Sequence, residues 1–123
     1  APVYFSSPAG GAIAFMDRLF FSTLGVDKTM KVGAAVVTCR RGGNTASFDV
    51  LNKYFTISNM PVVSSQYWNS VHGRLPGEAA QDAEGLQTMR VLGRNMARLL
   101  KAGPLASEAR PEKEERVWTH FIR

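Results

Sequence analysis

The chain has 123 residues, of which 45% are hydrophobic and 20% are charged, and it carries a net charge of +5. This length suits one compact domain, and the composition excludes disordered, collagen-like and disulfide-rich chains, while no apolar run approaches the roughly 18 residues of a membrane helix. The single cysteine, Cys39, and the absence of a Cys/His cluster predict no disulfide and no metal site, and favour a cytoplasmic location.

The amino-terminal segment predicts the end of a strand followed by a helix. Residues 1–5 are apolar and β-prone. Ser7 followed by Pro8 is typical of an N-cap and a first helical position. Apolar side chains then recur at helical spacing, so a first helix is expected over residues 9–22.

The next segment predicts a buried strand, a glycine-rich turn and a second helix. Residues 31–39 form a short, almost continuous apolar run, as expected for a parallel strand covered on both faces. The run ends in two arginines and two glycines. Phe48, Leu51, Tyr54 and Phe55 follow at spacings of three and four residues, which indicates a helix.

The remaining segments predict one more strand, a ligand loop and a long helix. Residues 60–65 are expected to be a strand, residues 66–75 a polar and aromatic loop, and residues 76–101 an amphipathic helix. Four basic residues on that helix form a stripe at helical spacing, and we interpret it as a solvated or subunit-facing surface. Residues 104–123 are expected to be a charged tail that docks on the body or on a neighbouring subunit.

Alternating strands and helices predict an α/β domain with right-handed crossovers, in which ligands bind at the carboxyl ends of the strands. Three loops follow such ends, at residues 4–7, 38–44 and 64–72, so we expect them to converge on one pocket. Only about three strand-helix units are present, whereas a five-stranded doubly wound domain needs on the order of 150 residues. The first units are therefore expected to come from another segment or subunit.

Three stretches, PVYFSSPAGGAIAFMDRL, AAVVTCRRGGNTASFDVLNKYF and MPVVSSQYWNSVHG, resemble the NADPH-dependent FMN reductase and iron–sulfur-flavoprotein-like branch of the flavodoxin superfamily. The resemblance covers nearly the whole chain and is carried by several motifs in the family's order. It implies the carboxyl-terminal part (residues 1–103) of a flavodoxin-like doubly wound parallel sheet with three αβα layers. The family's phosphate-binding turn and its cysteine cluster have no counterpart here.

The resemblance also implies a cofactor, FMN, and an electron donor, NADPH or NADH. The loop at residues 2–7 is expected to border the flavin ring, and the turn at residues 38–43 to approach its other edge through backbone groups and arginines. The expected cofactor-binding residues are Pro2, Val3, Tyr4, Phe5, Ser6, Ser7, Thr38, Arg40, Arg41, Gly42, Gly43, Asn44, Tyr67 and Trp68.

Several of these residues allow more than one interpretation. The forked guanidinium of Arg40 or Arg41 suits either the flavin or the 2′-phosphate of NADPH. Tyr67 and Trp68 suit either stacking on a ring or a subunit interface. A lone histidine such as His72 is more often structural than a proton carrier, and Cys39 is expected to be a buried small hydrophobe.

These patterns favour an oxidoreductase that passes electrons from NAD(P)H through FMN to a quinone, free flavin or other small acceptor. The alternative is a non-catalytic α/β interaction or assembly module that has lost the flavin phosphate site. A homo-oligomer, dimer or tetramer, is expected in either case. Nucleic-acid binding through the basic stripe and membrane association are not expected.

Overall fold

A computed structural model of the chain describes residues 1–103 and 112–121. Within these residues the elements are, in chain order, β1 (Val3–Tyr4), β2 (Ser7–Pro8), α1 (Gly10–Ser22), β3 (Val37–Cys39), α2 (Asn44–Ile57), β4 (Ser70–His72) and α3 (Ala83–Lys101). A short 3₁₀ helix, Glu78–Gln81, precedes α3.

The central feature is a small parallel sheet. β3 pairs in parallel with β4, and Val37 lies opposite Ser70. On the other side of β3, Pro2 forms a parallel bridge with Thr38. The amino-terminal segment, β3 and β4 therefore lie side by side with β3 in the middle, which confirms the predicted α/β class with a parallel sheet.

Helices cover both faces of this sheet. Ala35 and Val37 point into a core that they share with Leu51 of α2 and with partly buried apolar residues of α1 and α2. Side chains alternate along a strand, so Val36 points to the opposite face, where it lines an open apolar groove together with Leu86 of α3. The resulting three layers are those of part of a flavodoxin-like fold.

Glycine at position 33 allows α2 to approach the sheet. A Cβ atom at Gly33 would lie 2.8 Å from the ring of Phe55, so any larger residue would push this ring away. The ring of Phe20 in α1 also meets that of Phe55, with centroids 6.1 Å apart. The aromatic spacing predicted for the second helix is therefore confirmed as the packing surface that α2 shares with α1 and the sheet.

The predicted N-cap at Ser7 is wrong. Ser7 and Pro8 instead form β2, which pairs antiparallel with β1, and Ala9 is the N-cap residue of α1. The backbone N–H of Ala9 donates to the carbonyl of Pro2 at 2.9 Å, which continues the hairpin by one more residue. The fixed φ of proline suits an edge strand as well as a helix start, and the hairpin contacts decide between them.

The predicted strand at residues 60–65 is interrupted. Val62 makes a single parallel bridge to Gly33, and pairing resumes only at β4, inside the segment predicted to be a loop. Between them the chain leaves the sheet at residues 64–68, a segment we call the excursion. Asn69 is fully buried, and its side-chain amide donates to the carbonyl of Ala35 at 3.1 Å. This amide takes over part of the strand pairing that the excursion removes.

The long helix begins later than predicted, at Ala83 rather than residue 76. Asp82 is its N-cap residue, and a carboxylate oxygen of Asp82 accepts a hydrogen bond from the backbone N–H of Gly85 at 2.9 Å. A capping aspartate satisfies an N–H group that the first turn leaves unpaired, and so fixes where the helix starts.

The surface of α3 and the tail complete the described part of the chain. The basic stripe is exposed, at Arg90, Arg94, Arg98 and Lys101. The predicted tail falls partly outside the described residues, at 104–111 and 122–123, whereas residues 112–121 are exposed. Across the residues that are described, no helix combines the length and the apolar character needed to cross a membrane.

Candidate functional site

The hairpin that connects β1 and β2 presents aromatic side chains to solvent. Its two turn residues, Phe5 and Ser6, have φ of 50° and 60°, a left-handed conformation that residues other than glycine rarely adopt. Phe5 is fully exposed and Tyr4 is 63% exposed. A two-residue hairpin loop favours positive φ at both turn residues, so the pairing of β1 with β2 accounts for this conformation and leaves both rings available to a ligand.

The turn after β3 lies directly against this hairpin. Gly43 has φ of 83°, and a Cβ atom there would lie 2.8 Å from the Cα atom of Ser6 and 3.1 Å from the side chain of Val3. The neighbouring glycine, Gly42, has nothing within 4 Å of its Cβ position. Gly43 therefore performs a packing function that Gly42 does not, and it joins the hairpin and the turn into one surface.

This surface carries a row of hydrogen-bond donors without partners. Among the described residues, no hydrogen bond is donated by the backbone N–H groups of the turn or of the first residues of α2, namely Arg40, Arg41, Gly42, Gly43, Asn44, Thr45 and Ala46. The N-cap position of α2 is a glycine, so no side chain caps these groups. The positive end of the helix dipole adds to their attraction for negative charge.

Both arginines of the turn are available to a ligand. Arg40 and Arg41 are exposed, and neither forms an ion pair with a described residue. Asn44, at the start of α2, uses its side-chain amide differently, since it donates to the hydroxyl of Ser70 in β4 at 3.0 Å. The structure therefore gives Asn44 a contact that ties α2 to the sheet.

The other residues predicted for this site lie close by. Pro2 pairs with Thr38, and the side chain of Thr38 lines the groove on the α3 face of the sheet. Val3 packs partly against the core, whereas Ser7 is exposed on β2. We call the surface formed by the hairpin and the turn (residues 2–7 and 40–46) the carboxyl edge.

The aromatic pair Tyr67 and Trp68 does not lie at this edge, so the expected convergence of three loops is wrong in one part. These residues belong to the excursion, which precedes β4, and the carbonyl of Asn69 accepts from the backbone N–H of Val37 where β3 begins. The excursion thus sits at the amino-terminal end of the β3–β4 pair. The two rings pack on each other, with centroids 4.8 Å apart.

His72 lies at the carboxyl-terminal end of β4. It pairs with Cys39 at the end of β4, and the next residue, Gly73, donates its N–H to the carbonyl of Cys39 at 3.0 Å. His72 therefore ends its strand opposite Cys39, one residue before the turn begins. Cys39 itself is only 6% exposed, which agrees with the prediction of a buried small hydrophobe.

Asp82 lies next to His72. The sequence did not predict this contact. The Nδ1 atom of His72 lies 3.4 Å from a carboxylate oxygen of Asp82. The backbone N–H groups of Gly85 and His72 both donate to the carboxylate and hold the pKa of Asp82 below its usual value. The signal in the sequence was an aspartate just before a periodic apolar run, which is an N-cap pattern.

Comparison with known proteins finds a relative of similar sequence. The chain is 32% identical, over 108 residues, to the iron-sulfur flavoprotein MJ1083 of Methanocaldococcus jannaschii, and the match covers 82% of this chain and 56% of that protein. The chain thus has a flavoprotein relative. It spans about half the length of that relative, and the similarity supports a relationship to flavodoxin-like flavoproteins without selecting a branch.

Family models and solved structures gave no match to the chain. No family model matches the chain, and no solved structure gives a significant match. The fold assignment therefore rests on the parallel sheet and its covering helices, together with the flavoprotein relative.

Proposed function

We propose that the chain supplies the ring-binding side of an FMN site and belongs to an oxidoreductase. In this proposal electrons pass from NADPH or NADH through FMN to a quinone, free flavin or other small acceptor. The relative's name supports the flavin, and the position of the donors at the carboxyl ends of parallel strands supports the ligand site.

The observation that carries the proposal is the row of unpartnered N–H groups at residues 40–46, next to exposed aromatic rings. Most of these residues are exposed, and the first N–H groups of any helix lack a partner within the helix, so a ligand with several acceptor atoms can replace solvent along this row. The polar edge of an isoalloxazine ring carries such acceptors, while Tyr4 or Phe5 can pack on its apolar face.

The residues of the carboxyl edge fit this group. Bound FMN would supply the ring that accepts a hydride and passes electrons on. The chain would contribute binding and charge: N–H groups at Gly42 and Gly43 stabilise negative charge on the ring, and a guanidinium nearby adds to that stabilisation. Arg40 and Arg41 also suit the 2′-phosphate of NADPH, because a forked guanidinium binds phosphate oxygens in pairs.

The phosphate of FMN needs its own binding site in this proposal. The family's phosphate-binding turn has no counterpart in the sequence, so the phosphate is held by an added segment, by another subunit or by the start of α2. The first two cases predict that this chain alone binds FMN weakly, because several charge-assisted hydrogen bonds of about 1.5–3 kcal/mol each are lost.

A paired titration of the 123-residue chain with riboflavin and FMN tests the site. Riboflavin has the ring without the phosphate, so similar weak affinities for both ligands support ring contacts alone. Binding of FMN roughly 100-fold tighter than riboflavin would place the phosphate at the start of α2. If neither ligand binds, and the purified full-length protein carries no flavin absorbance, the proposal fails in favour of the non-catalytic interaction module.

We also propose that the functional protein is an assembly, and that it works in the cytoplasm. α1 leaves large apolar side chains uncovered, among them Phe15 at 62% and Phe21 at 78% exposure. An apolar surface of this kind favours a homo-oligomer or an added amino-terminal segment as its cover. Sedimentation of the full-length protein distinguishes the two, because only the first gives a mass above one chain.

A further inference from the structure

The pair formed by His72 and Asp82 is held by more contacts than an N-cap requires. One oxygen of the Asp82 carboxylate, Oδ1, accepts the capping hydrogen bond from Gly85. The other, Oδ2, accepts from the backbone N–H of His72 at 2.7 Å and lies 3.4 Å from the ring nitrogen Nδ1 of the same residue. The carboxylate thus contacts both the backbone and the ring of His72.

Gly85 makes this arrangement possible. A Cβ atom at Gly85 would lie 2.5 Å from Oδ2 of Asp82 and 3.0 Å from the Cα atom of Val71. A larger residue would therefore displace the carboxylate from His72 or push α3 away from β4. The close approach of α3 to β4 fixes the carboxylate against the end of the strand.

The position of the carboxylate selects one form of the imidazole ring. An ionised carboxylate only accepts hydrogen bonds, so a hydrogen on Nδ1, which lies 3.4 Å from Oδ2, is the form that this contact favours. The other nitrogen, Nε2, is then the atom through which His72 exchanges its second proton. The side chain of His72 is 44% exposed, so solvent can restore that proton.

We propose that His72 donates a proton from Nε2 to the acceptor that is reduced at the carboxyl edge, and that Asp82 is the positioning residue for His72. This inference rests on the proposed function. It adds a proton source to a site whose arginines and backbone donors supply charge stabilisation but no transferable proton at neutral pH.

The proton balance of quinone reduction shows why such a group is needed. A quinone that receives a hydride equivalent, two electrons and one proton, from a reduced flavin becomes a hydroquinone anion. One more proton on its remaining oxygen gives the neutral hydroquinone. Protonated His72 supplies that proton, becomes neutral while Nδ1 keeps its hydrogen toward Asp82, and takes up a proton from water.

The competing interpretation is that Asp82 serves only as a helix cap and that His72 has no role. Asp82→Asn separates the two, because asparagine keeps an oxygen for the N–H of Gly85 and is a good capping residue. The same substitution removes the charge beside His72. The amide NH2 group then faces the backbone N–H of His72, so the loss of that hydrogen bond is followed separately through the backbone amide signal of His72. A purely structural role predicts that the tautomer of the imidazole is unchanged.

The first test reads the imidazole directly and needs no flavin. Nitrogen-15 NMR at about pH 8, where an ordinary histidine is neutral, distinguishes hydrogen on Nδ1 from hydrogen on Nε2. We expect the Nδ1–H form for His72 and its loss in Asp82→Asn, with exposed His120 as the internal reference. The Nε2–H form in the unaltered protein, or no change in Asp82→Asn, would overturn the positioning role.

The second test uses two electron acceptors with the flavin-loaded full-length protein. A quinone needs protons on reduction, whereas ferricyanide takes one electron and no proton. His72→Gln is expected to lower the ratio of quinone to ferricyanide reduction rates roughly 100-fold, and Asp82→Asn to lower it less. Equal ratios in His72→Gln and unaltered protein would refute the proton donation alone, whereas failure with both acceptors in the unaltered protein would refute the proposed function and this step with it.

Discussion

Two loops of this chain both contain serine and aromatic residues, but they differ in how their polar groups are hydrogen-bonded. The carboxyl edge and the excursion at residues 64–68 each combine serine with aromatic residues. In the excursion the polar groups bond to one another: the hydroxyl of Ser65 lies within hydrogen-bond distance of two acceptors, the side-chain oxygen of Asn69 at 2.7 Å and the carbonyl of Tyr67 at 2.6 Å. At residues 40–46 of the carboxyl edge the backbone donors have no partner in the described chain. A loop whose polar groups bond to one another serves the structure, whereas a loop with unpaired donors can accept a ligand.

The largest expected effect is on stability, and it tests whether the excursion is a structural loop. Asn69→Ala removes a buried amide and leaves the carbonyl of Ala35 and the hydroxyl of Ser65 without this partner. We expect the free energy of unfolding to fall by about 2–4 kcal/mol in urea denaturation. Gln66→Ala, at an exposed position of the same segment, is the control and is expected to change stability by less than about 0.5 kcal/mol. Similar values for the two variants would show that the excursion is not closed by Asn69.

The next effect tests the contact that joins the hairpin to the turn. Gly43→Ala forces a side chain into a left-handed conformation and against Ser6, and we expect a loss of about 1–3 kcal/mol. Gly42→Ala is the matched control, because its Cβ position is open. Thermal unfolding of the two variants provides the comparison. Equal melting temperatures would mean that Gly43 does not connect the two loops.

The arginines test whether the carboxyl edge is open for a ligand. In a flavin-competent assembly, Arg40→Ala or Arg41→Ala is expected to weaken reduction by NADPH, with at least one losing about 1–3 kcal/mol of charge-assisted interaction. Stability should stay within about 0.5 kcal/mol, because both residues are exposed and form no ion pair with a described residue. Arg90→Ala on α3 is the control for a general change in charge. Unchanged kinetics in both turn variants would leave these arginines as surface charges.

A smaller effect separates backbone strain from ligand contact in the hairpin. Phe5→Gly and Ser6→Gly each place glycine where φ is positive, so each is expected to raise the free energy of unfolding by up to about 1 kcal/mol. Only Phe5→Gly removes the exposed aromatic ring and should also weaken riboflavin binding. Calorimetric unfolding and fluorescence titration measure the two quantities. A loss of stability in both variants would contradict the strain, and equal riboflavin affinities would contradict the ring contact.

The last effect concerns a closed contact between two helices, where Tyr54 of α2 donates to Asp17 of α1. This hydrogen bond raises the pKa of Tyr54 from 10.0 to about 12. A raised pKa means that the stabilisation is fully present below about pH 10 and is lost as the pH rises through about 12. Tyr54→Phe is expected to cost about 0.5–1.5 kcal/mol at neutral pH, and the difference should shrink only in that alkaline range. A difference that shrinks near neutral pH would contradict the assignment.

Local patterns predicted the elements that depend on neighbours in the chain. The apolar run that contains β3, the aromatic spacing of α2 and the hydrophobic burial of Cys39 were all found, because buried strands and amphipathic helices impose a period on the sequence. Helix starts were less well predicted. Ser7 and Asp82 are both residues that favour N-caps, and only Asp82 serves as one.

The amino-acid sequence by itself determined the α/β class, the helices and the presence of a glycine- and arginine-rich turn after a buried strand. Only the tertiary structure decided which loops meet. Gly43 packs against Ser6 of a distant segment, and Asp82 contacts His72, ten positions before it, whereas Tyr67 and Trp68 lie at the other end of the β3–β4 pair. The reason is physical: the side chain of Asn69 replaces part of the backbone pairing with β3, and no local period in the sequence encodes a contact of this kind.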